Sequence, residues 1–355
     1  MLKIGPEFEV PANASRFFED QEIALSQPLA SIQLVQEKNG FIHNVSFEPS
    51  LIQYDSSYCT SNANMKGRYS SPTLDYIPRI FARMGVNDLI IDIGCGQGEF
   101  VKELRRMGRN AIGFDPVIRS ESSFLHRRLW TSTESPAALY VMRCVLPHIE
   151  NPFSFIHEIG AFDCESMVLI EYQRLEWIVE HQIWYQISHD HVNLFTIHDF
   201  QLNFDVLDHG VFANGEWGWV LVDPRRISKL ETNASLDIHE GINELFNTKS
   251  VFLDNVSTLE SQLIVWGAAG KGIVLSHAIA SVKGQISSID ADENRWGLYM
   301  ESSGTPIFSP EKALVAAERD SVILVCNPNH LSEIKAYVGD GFDVLLPKEL
   351  IFRSR

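Results

Sequence analysis

The stretch Asp92-Ile93-Gly94-Cys95-Gly96-Gln97-Gly98-Glu99 decides how this chain is read. It continues Leu89-Ile90-Ile91, a short apolar run of the kind that forms a buried strand, and it leads into a helical pattern over 99–107. Glycines at alternate positions let the backbone turn sharply and let a ligand approach it closely. Beyond them a second apolar run, Ala111-Ile112-Gly113-Phe114, ends in Asp115 and Pro116. A carboxylate after the second strand of such a unit can accept both hydroxyls of a ribose. Strand, glycine turn, helix, strand and acid together predict a bound nucleoside-like ligand, held by Asp92, Gly94, Cys95, Gly96, Gln97, Gly98, Asp115 and Pro116. A tight turn with no ligand is the simpler alternative, and the combination of features disfavours it.

The pattern extends outward. Strand-like runs at 139–145 and 166–170 flank a helical run at 152–159, and two more runs, 204–212 and 217–222, follow without a helix between them. Repeated β-α-β implies a parallel sheet covered on both faces, with an antiparallel hairpin at its edge. Residues 76–235 are read as this core. Residues 1–75, punctuated by Pro6, Pro11, Pro28, Pro49 and Pro72, predict small strands and loops without a large core of their own. Residues 236–355 begin with an amphipathic helix over 237–260, its contacts Ile238, Ile242, Leu245, Val251 and Leu253. Alternation then restarts, with strands at 263–266, 286–289 and 322–326 and a second glycine turn, Gly267-Ala268-Ala269-Gly270-Lys271-Gly272. The fold class expected is α/β, a Rossmann-like core with a small N-terminal part and a second Rossmann-like domain.

Bulk properties exclude several functions. The chain has 355 residues and a formal charge of −17, which disfavours nucleic acid and anionic membrane surfaces as partners. A small-molecule substrate is expected, and a monomer or homodimer. No apolar run approaches the length needed to span a bilayer, and the start lacks the pattern of a signal peptide. The five cysteines, Cys59, Cys95, Cys144, Cys164 and Cys326, form no C-x-x-C pair, so a reducing cytoplasm is the expected location.

The D-I-G-C-G-x-G spacing resembles the first motif of class I S-adenosylmethionine-dependent methyltransferases rather than the G-x-G-x-x-G of dinucleotide enzymes. Val141-Met142-Arg143-Cys144-Val145-Leu146-Pro147-His148-Ile149 resembles the segment after their fourth strand. Glu171, the run His189-Asp190-His191-Val192-Asn193-Leu194-Phe195-Thr196, Phe204-Asp205-Val206-Leu207-Asp208 and the C-terminal W-G-A-A-G-K-G resemble one subgroup, the three-part sugar C-methyltransferases. That resemblance implies S-adenosylmethionine as donor, with Arg143 and Tyr54 joining the cofactor contacts. It implies His191 as general base, oriented by Asp190 or Glu171, with His189 and Tyr58 beside it. It also implies an acceptor of the nucleotide-linked keto-deoxysugar type, contacted by Asn193 and by Lys271, whose place at a helix start after glycines suits a phosphate. Methylation of oxygen or nitrogen is the alternative activity, and a non-catalytic binding protein the third reading.

His189 and His191 share one face of an extended segment, but a metal site needs three or four converging ligands, and none is expected. An imidazole titrating near 6.5 has a neutral form available to take a proton from carbon beside a ketone. The chain departs from the subgroup twice. Gln36 and Asn39 stand where its zinc-binding cysteines would, so no zinc is expected, and Ser188 replaces a tyrosine in its Y-H-E-H motif, where Asp190 is also one methylene shorter.

Overall fold

The structure, a computed structural model, describes residues 1–53, 70–163, 165–225, 238–284 and 286–351. The first stretch contains β1 (Leu2–Pro11), β2 (Phe17–Phe18), α1 (Gln21–Leu25), β3 (Leu29–Gln36) and β4 (Ile42–Asn44). The core contains α2 (Ser70–Phe81), β5 (Leu89–Ile93), α3 (Glu99–Arg106), β6 (Asn110–Phe114), β7 (Leu125–His126), β8 (Leu139–Arg143) and α4 (Pro152–Phe162). It continues through β9 (Met167–Gln173), α5 (Leu175–Glu180), β10 (Asn193–Leu194), α6 (Ile197–Asn203), β11 (Asp205–Phe212) and β12 (Trp217–Asp223). After α7 (His239–Thr258) come β13 (Leu263–Trp266), α8 (Lys271–Lys283), β14 (Ser287–Ile289), β15 (Tyr299–Met300) and β16 (Ile307–Phe308). The chain closes with α9 (Pro310–Ala316), β17 (Val322–Val325), α10 (Leu331–Val338), β18 (Asp343–Leu345) and α11 (Pro347–Leu350).

The core sheet has seven strands in the order β11-β12-β9-β8-β5-β6-β7. β7, β6, β5, β8 and β9 are parallel, whereas β12 runs antiparallel to β9 and β11 antiparallel to β12. The expected α/β class and edge hairpin are therefore present. Burial on both faces explains the unbroken apolar runs. Ile91, Tyr140, Met142, Val168 and Ile170 face one cluster, which contains Phe195 and Phe200. Ile90, Leu139, Val141 and Leu169 face the other, with Tyr76, Ile77 and Ile80 of α2 and Val101 and Leu104 of α3.

A crevice forms where the chain, having built β5, β6 and β7 in one direction, returns to place β8 on the other side of β5. Ligands of doubly wound sheets bind at such a switch point, beyond the carboxyl ends of the strands. The glycine turn leaves β5 at this place, and the segment 144–148 leaves β8 beside it.

The N-terminal strands are longer than the prolines suggested. β1 and β3 pair antiparallel, β4 follows β3, and the core's own β10 completes the sheet by pairing with β4. Ile4, Val10, Ile32 and Leu34 share a core with Ile242, Leu245 and Phe246 of α7. On α7 the apolar stripe continues through Phe252 and Val256, while Val251, expected as a contact, is 43 % exposed. The C-terminal sheet is wholly parallel, in the order β16-β14-β13-β17-β18. β15 crosses back to pair with β2.

Candidate active site

The turn after β5 is held from beneath by the next strand. Gly94 and Cys95 both donate their N–H to Phe114 O, at 2.8 and 3.2 Å. Gly94 and Gly98 adopt positive φ, 71° and 78°. A Cβ on Gly94 would fall 2.3 Å from Val145 Cγ2, and one on Gly98 would fall 2.4 Å from Leu125 Cδ2, so the two positions need glycine for packing as well as for conformation. Gln97 ties the turn to the segment beyond β6, giving its Nε2–H to Val117 O and accepting from Arg119 N–H. Cys95 is buried and Pro116 is exposed.

Asp115 accepts from Gly96 N–H at 2.8 Å and from Val117 N–H at 2.9 Å, one bond to each oxygen. A carboxylate offers about four lone-pair directions, so capacity for two further donors is left. Burial raises its pKa, and the two N–H donors oppose the rise. Asp92 is 2 % exposed, and its Oδ1 is buried without a hydrogen-bond partner. Burial lifts this carboxyl to about 7, while Arg143 pulls it down and Glu171 and Asp115 push it up. An orphaned carboxylate oxygen at the head of a glycine turn fits a ligand that carries positive charge.

Arg143 lies across Phe100, its guanidinium carbon 4.5 Å from the ring centroid, and its Nε–H reaches Glu171 Oε2 at 3.0 Å. Burial disfavours its charge, but Glu171 and Asp92 outweigh burial and keep it protonated. The other oxygen of Glu171 accepts from Thr73 Oγ1 and Tyr76 Oη, both at 2.5 Å. The resemblance implied that Asp190 or Glu171 orients His191; Glu171 instead anchors α2 and Arg143, and both its oxygens are used there.

The histidine segment is positioned by β10, whose Asn193 and Leu194 pair with His43 and Ile42. His189 is fully buried. One ring nitrogen lies 3.2 Å from Ser31 O, and Glu48 N–H points to the other at 3.2 Å. With both nitrogens engaged by main chain, His189 is a latch between the N-terminal strands and the core, not the expected partner in proton transfer. Asp190 accepts from Ser188 Oγ at 2.7 Å and from Ala14 N–H at 3.2 Å. Burial would raise its pKa, yet His191, His148, the Ser188 hydroxyl and the Ala14 N–H hold it below the ordinary carboxylate value.

His191 packs edge to face on His148, centroids 4.7 Å apart. Burial drives its pKa down to about 4, helped by His148 and Lys271 and opposed by Asp190. At neutral pH it is an uncharged imidazole beside an ionised carboxylate. His148 ends the short turn that leaves β8, three residues past the Val145 that covers Gly94, so the histidine pair stands at the crevice. His148 and Asp190 also line a cleft of about 640 Å³ with Phe47, Ile52 and Phe155. That volume suits a metabolite. Asn193, 2 % exposed, gives Nδ2–H to Ile149 O on the cleft wall and leaves Oδ1 without a partner.

Lys271 does not await a phosphate. Its Nζ lies 2.5 Å from Glu216 Oε1, buried against Trp177, and Glu216 also accepts from Asn327 and Asn329. The pair joins the tip of the β11–β12 hairpin to the C-terminal sheet. Tyr54 and Tyr58 lie outside the described residues. At 36–41, where the resemblance implied zinc-binding cysteines, Asn39 accepts from Phe41 N–H and Glu37 O from Gly40 N–H. Among the described residues no group of three or more His, Cys, Asp or Glu is placed to hold a metal ion. None of their helices is long and apolar enough to cross a membrane.

Asn13, Ala14, His148 and Glu216 escaped the sequence reading. Only His148 had a signal, as part of the quoted run after the fourth strand.

Residues 62–205 match a family model described as a methyltransferase domain. That match, over less than half of the chain, supports an enzyme of the methyltransferase class. No curated protein matches the chain. Among solved structures it is similar to a SAM-dependent methyltransferase from Methanosarcina mazei, at 15 % identity and TM-score 0.32, over 41 % of this chain and 95 % of that one. Magnesium protoporphyrin IX methyltransferase from Synechocystis, with bound SAH, is 12 % identical at TM-score 0.34, over 43 % and 81 %. A Burkholderia thailandensis 1,6-didemethyltoxoflavin-N1-methyltransferase, with its acceptor and S-adenosylhomocysteine bound, is 11 % identical at TM-score 0.33, over 43 % and 77 %.

Proposed function

We propose that the chain binds S-adenosylmethionine at the β5 turn and methylates a small-molecule acceptor at the His148–His191 pair. When bound, this cofactor supplies an electrophilic methyl group. The single observation that carries the reading is a neutral imidazole, His191, packed on His148, which stands three residues past the Val145 that covers a glycine turn headed by an unpartnered buried carboxylate. Asp92 would face the positive charge of the donor, and the two free lone-pair directions of Asp115 would take its ribose hydroxyls.

The chain's own chemistry is proton removal. His191 accepts a proton from the acceptor, which leaves the electron pair there to attack the methyl carbon. Asp190 stays ionised and stabilises the imidazolium that forms, and the low pKa of His191 favours early release of the proton. The motif resemblance favours carbon beside a ketone, on a sugar, as the atom methylated. With Lys271 engaged by Glu216, nothing in the described site supports a diphosphate contact from that lysine.

Incubating the protein with labelled S-adenosylmethionine and candidate keto sugars, free and nucleotide-linked, followed by mass spectrometry, tests the reading. Label on carbon of a keto sugar is expected. Label on oxygen or nitrogen would replace the carbon assignment, and absence of S-adenosylhomocysteine binding by calorimetry would overturn the cofactor assignment. Asp115→Ala should weaken that binding at least tenfold, a loss of about 1.4 kcal/mol or more. Equal affinity of mutant and wild type would remove Asp115 from the site.

A further inference from the structure

We infer that Glu301, in the C-terminal domain, is a positioning residue for the acid/base pair Asp190–His191 and acts through Asn13 and Ala14. The inference rests on the reading of His191 as base. It gives the C-terminal domain a part in methyl transfer that needs no ligand of its own.

Glu301 is fully buried. Its Oε1 accepts both the backbone N–H and the side-chain Nδ2–H of Asn13, each at 3.1 Å. Asn13 is also fully buried, and its remaining groups are engaged in turn: Oδ1 accepts from Gln53 N–H at 3.1 Å, and Nδ2–H reaches Leu51 O at 3.3 Å. Leu51 and Gln53 flank Ile52 of the cleft wall. The next residue, Ala14, is gripped from both sides. Its N–H donates to Asp190 Oδ2 at 3.2 Å, and its O accepts from Gly270 N–H at 2.7 Å. Asn13 and Ala14 therefore form a short peptide clamp, and only one end of it touches the catalytic segment. The other end is set by Glu301 and Gly270, both from the C-terminal domain.

A clamp of this kind has one physical purpose that packing alone does not explain. The Ala14 N–H fixes one Asp190 oxygen and the Ser188 hydroxyl fixes the other, so the carboxylate cannot swing toward His191 and form a tight ion pair with it. His191 faces His148, Asp190 and Lys271, and Glu301 faces Arg16 and Asp190. Release of Asn13 by Glu301 would free Ala14, free Asp190, and admit water. Each change favours a protonated His191. The acid limb set by His191 would then move up from about pH 4 toward the working range.

The experiment is a titration of His191 by NMR on the full chain with ring-labelled histidine, the signal assigned with His191→Asn. No acceptor is needed. In Glu301→Ala the His191 pKa should rise by about one unit or more, while S-adenosylhomocysteine binding by calorimetry stays within about twofold of wild type, because the β5 turn is untouched. Glu301→Gln keeps a carbonyl oxygen for Asn13 and should titrate as wild type. An unshifted His191 in Glu301→Ala overturns the inference, and so does a shift of equal size in Glu301→Gln, which would assign the effect to charge rather than to the clamp. If Glu301→Ala does not fold, Glu301→Asp keeps the charge for Arg16 but falls a methylene short of Asn13. A raised His191 pKa there supports the assignment, and an unchanged one overturns it. Failure of the base reading is seen separately, as full turnover by His191→Asn with the titration results intact.

Discussion

His191 is uncharged at neutral pH because burial makes its protonated form unfavourable. Burial and the neighbouring His148 set its pKa near 4, below the ordinary histidine value. The acid limb of kcat/KM should therefore fall near pH 4, and activity should be flat between about pH 6 and 8. A limb centred on 6.5 would mean an ordinary imidazole and a base elsewhere. His191→Asn should slow turnover by about 10² or more, with donor affinity unchanged. The choice of this residue as candidate base rested on imidazole chemistry, the local H-D-H pattern and the motif resemblance. The roles of its neighbours were not. His189 looked equivalent in sequence, and only Ser31 and Glu48, 158 and 141 positions away, commit its ring to the main chain. The same is true of Glu171, whose partners Thr73 and Tyr76 lie 98 and 95 positions back.

At the scale of elements, the β5–turn–α3 unit was readable because the apolar run, the glycine spacing and the helical pattern that define it all lie within 89–107. Its sensitivity is readable too. Gly94→Ala puts a methyl into Val145 and forces a non-glycine residue to positive φ, so it should cost about 1–3 kcal/mol in denaturant unfolding and weaken S-adenosylhomocysteine binding together. β10 is the opposite case. Two residues carry no period, and their strand character comes from pairing with β4. The latch above it can be tested by His189→Phe. This leaves the Ser31 carbonyl and the Glu48 N–H without their partner in a buried place, and should destabilise the chain by about 2–4 kcal/mol. Stability within about 0.5 kcal/mol of wild type would show that the latch contributes little.

Across the whole molecule, buried carboxyls give a pH dependence whose sign can be worked out. Asp92 and Glu301 sit at about 7 and Asp199 at about 6, with burial the first cause in each. Folded, they hold protons that the unfolded chain, titrating near 4, has released. Through these three groups the folded state binds more protons between about pH 4 and 7, so their contribution to stability falls as pH rises; His191, held at about 4, opposes them below about pH 6.5, and the net fall is read above it. The ligand-free chain should show a lower denaturant midpoint at about pH 8 than at about pH 6.5, and Asp92→Asn should reduce the difference. A midpoint that rises instead would contradict these assignments.

The clamp at Asn13 and Ala14 also sets a schedule for the nascent chain. Asn13 and its partner Glu301 are 288 positions apart. At ordinary elongation rates roughly 15 to 60 s separate their emergence from the ribosome. During that interval the methyltransferase core can close around its sheet, but the loop that bears His191 has no finished support. The segment that bears Asp190 and His191 is therefore among the last parts of the fold to gain its full set of contacts.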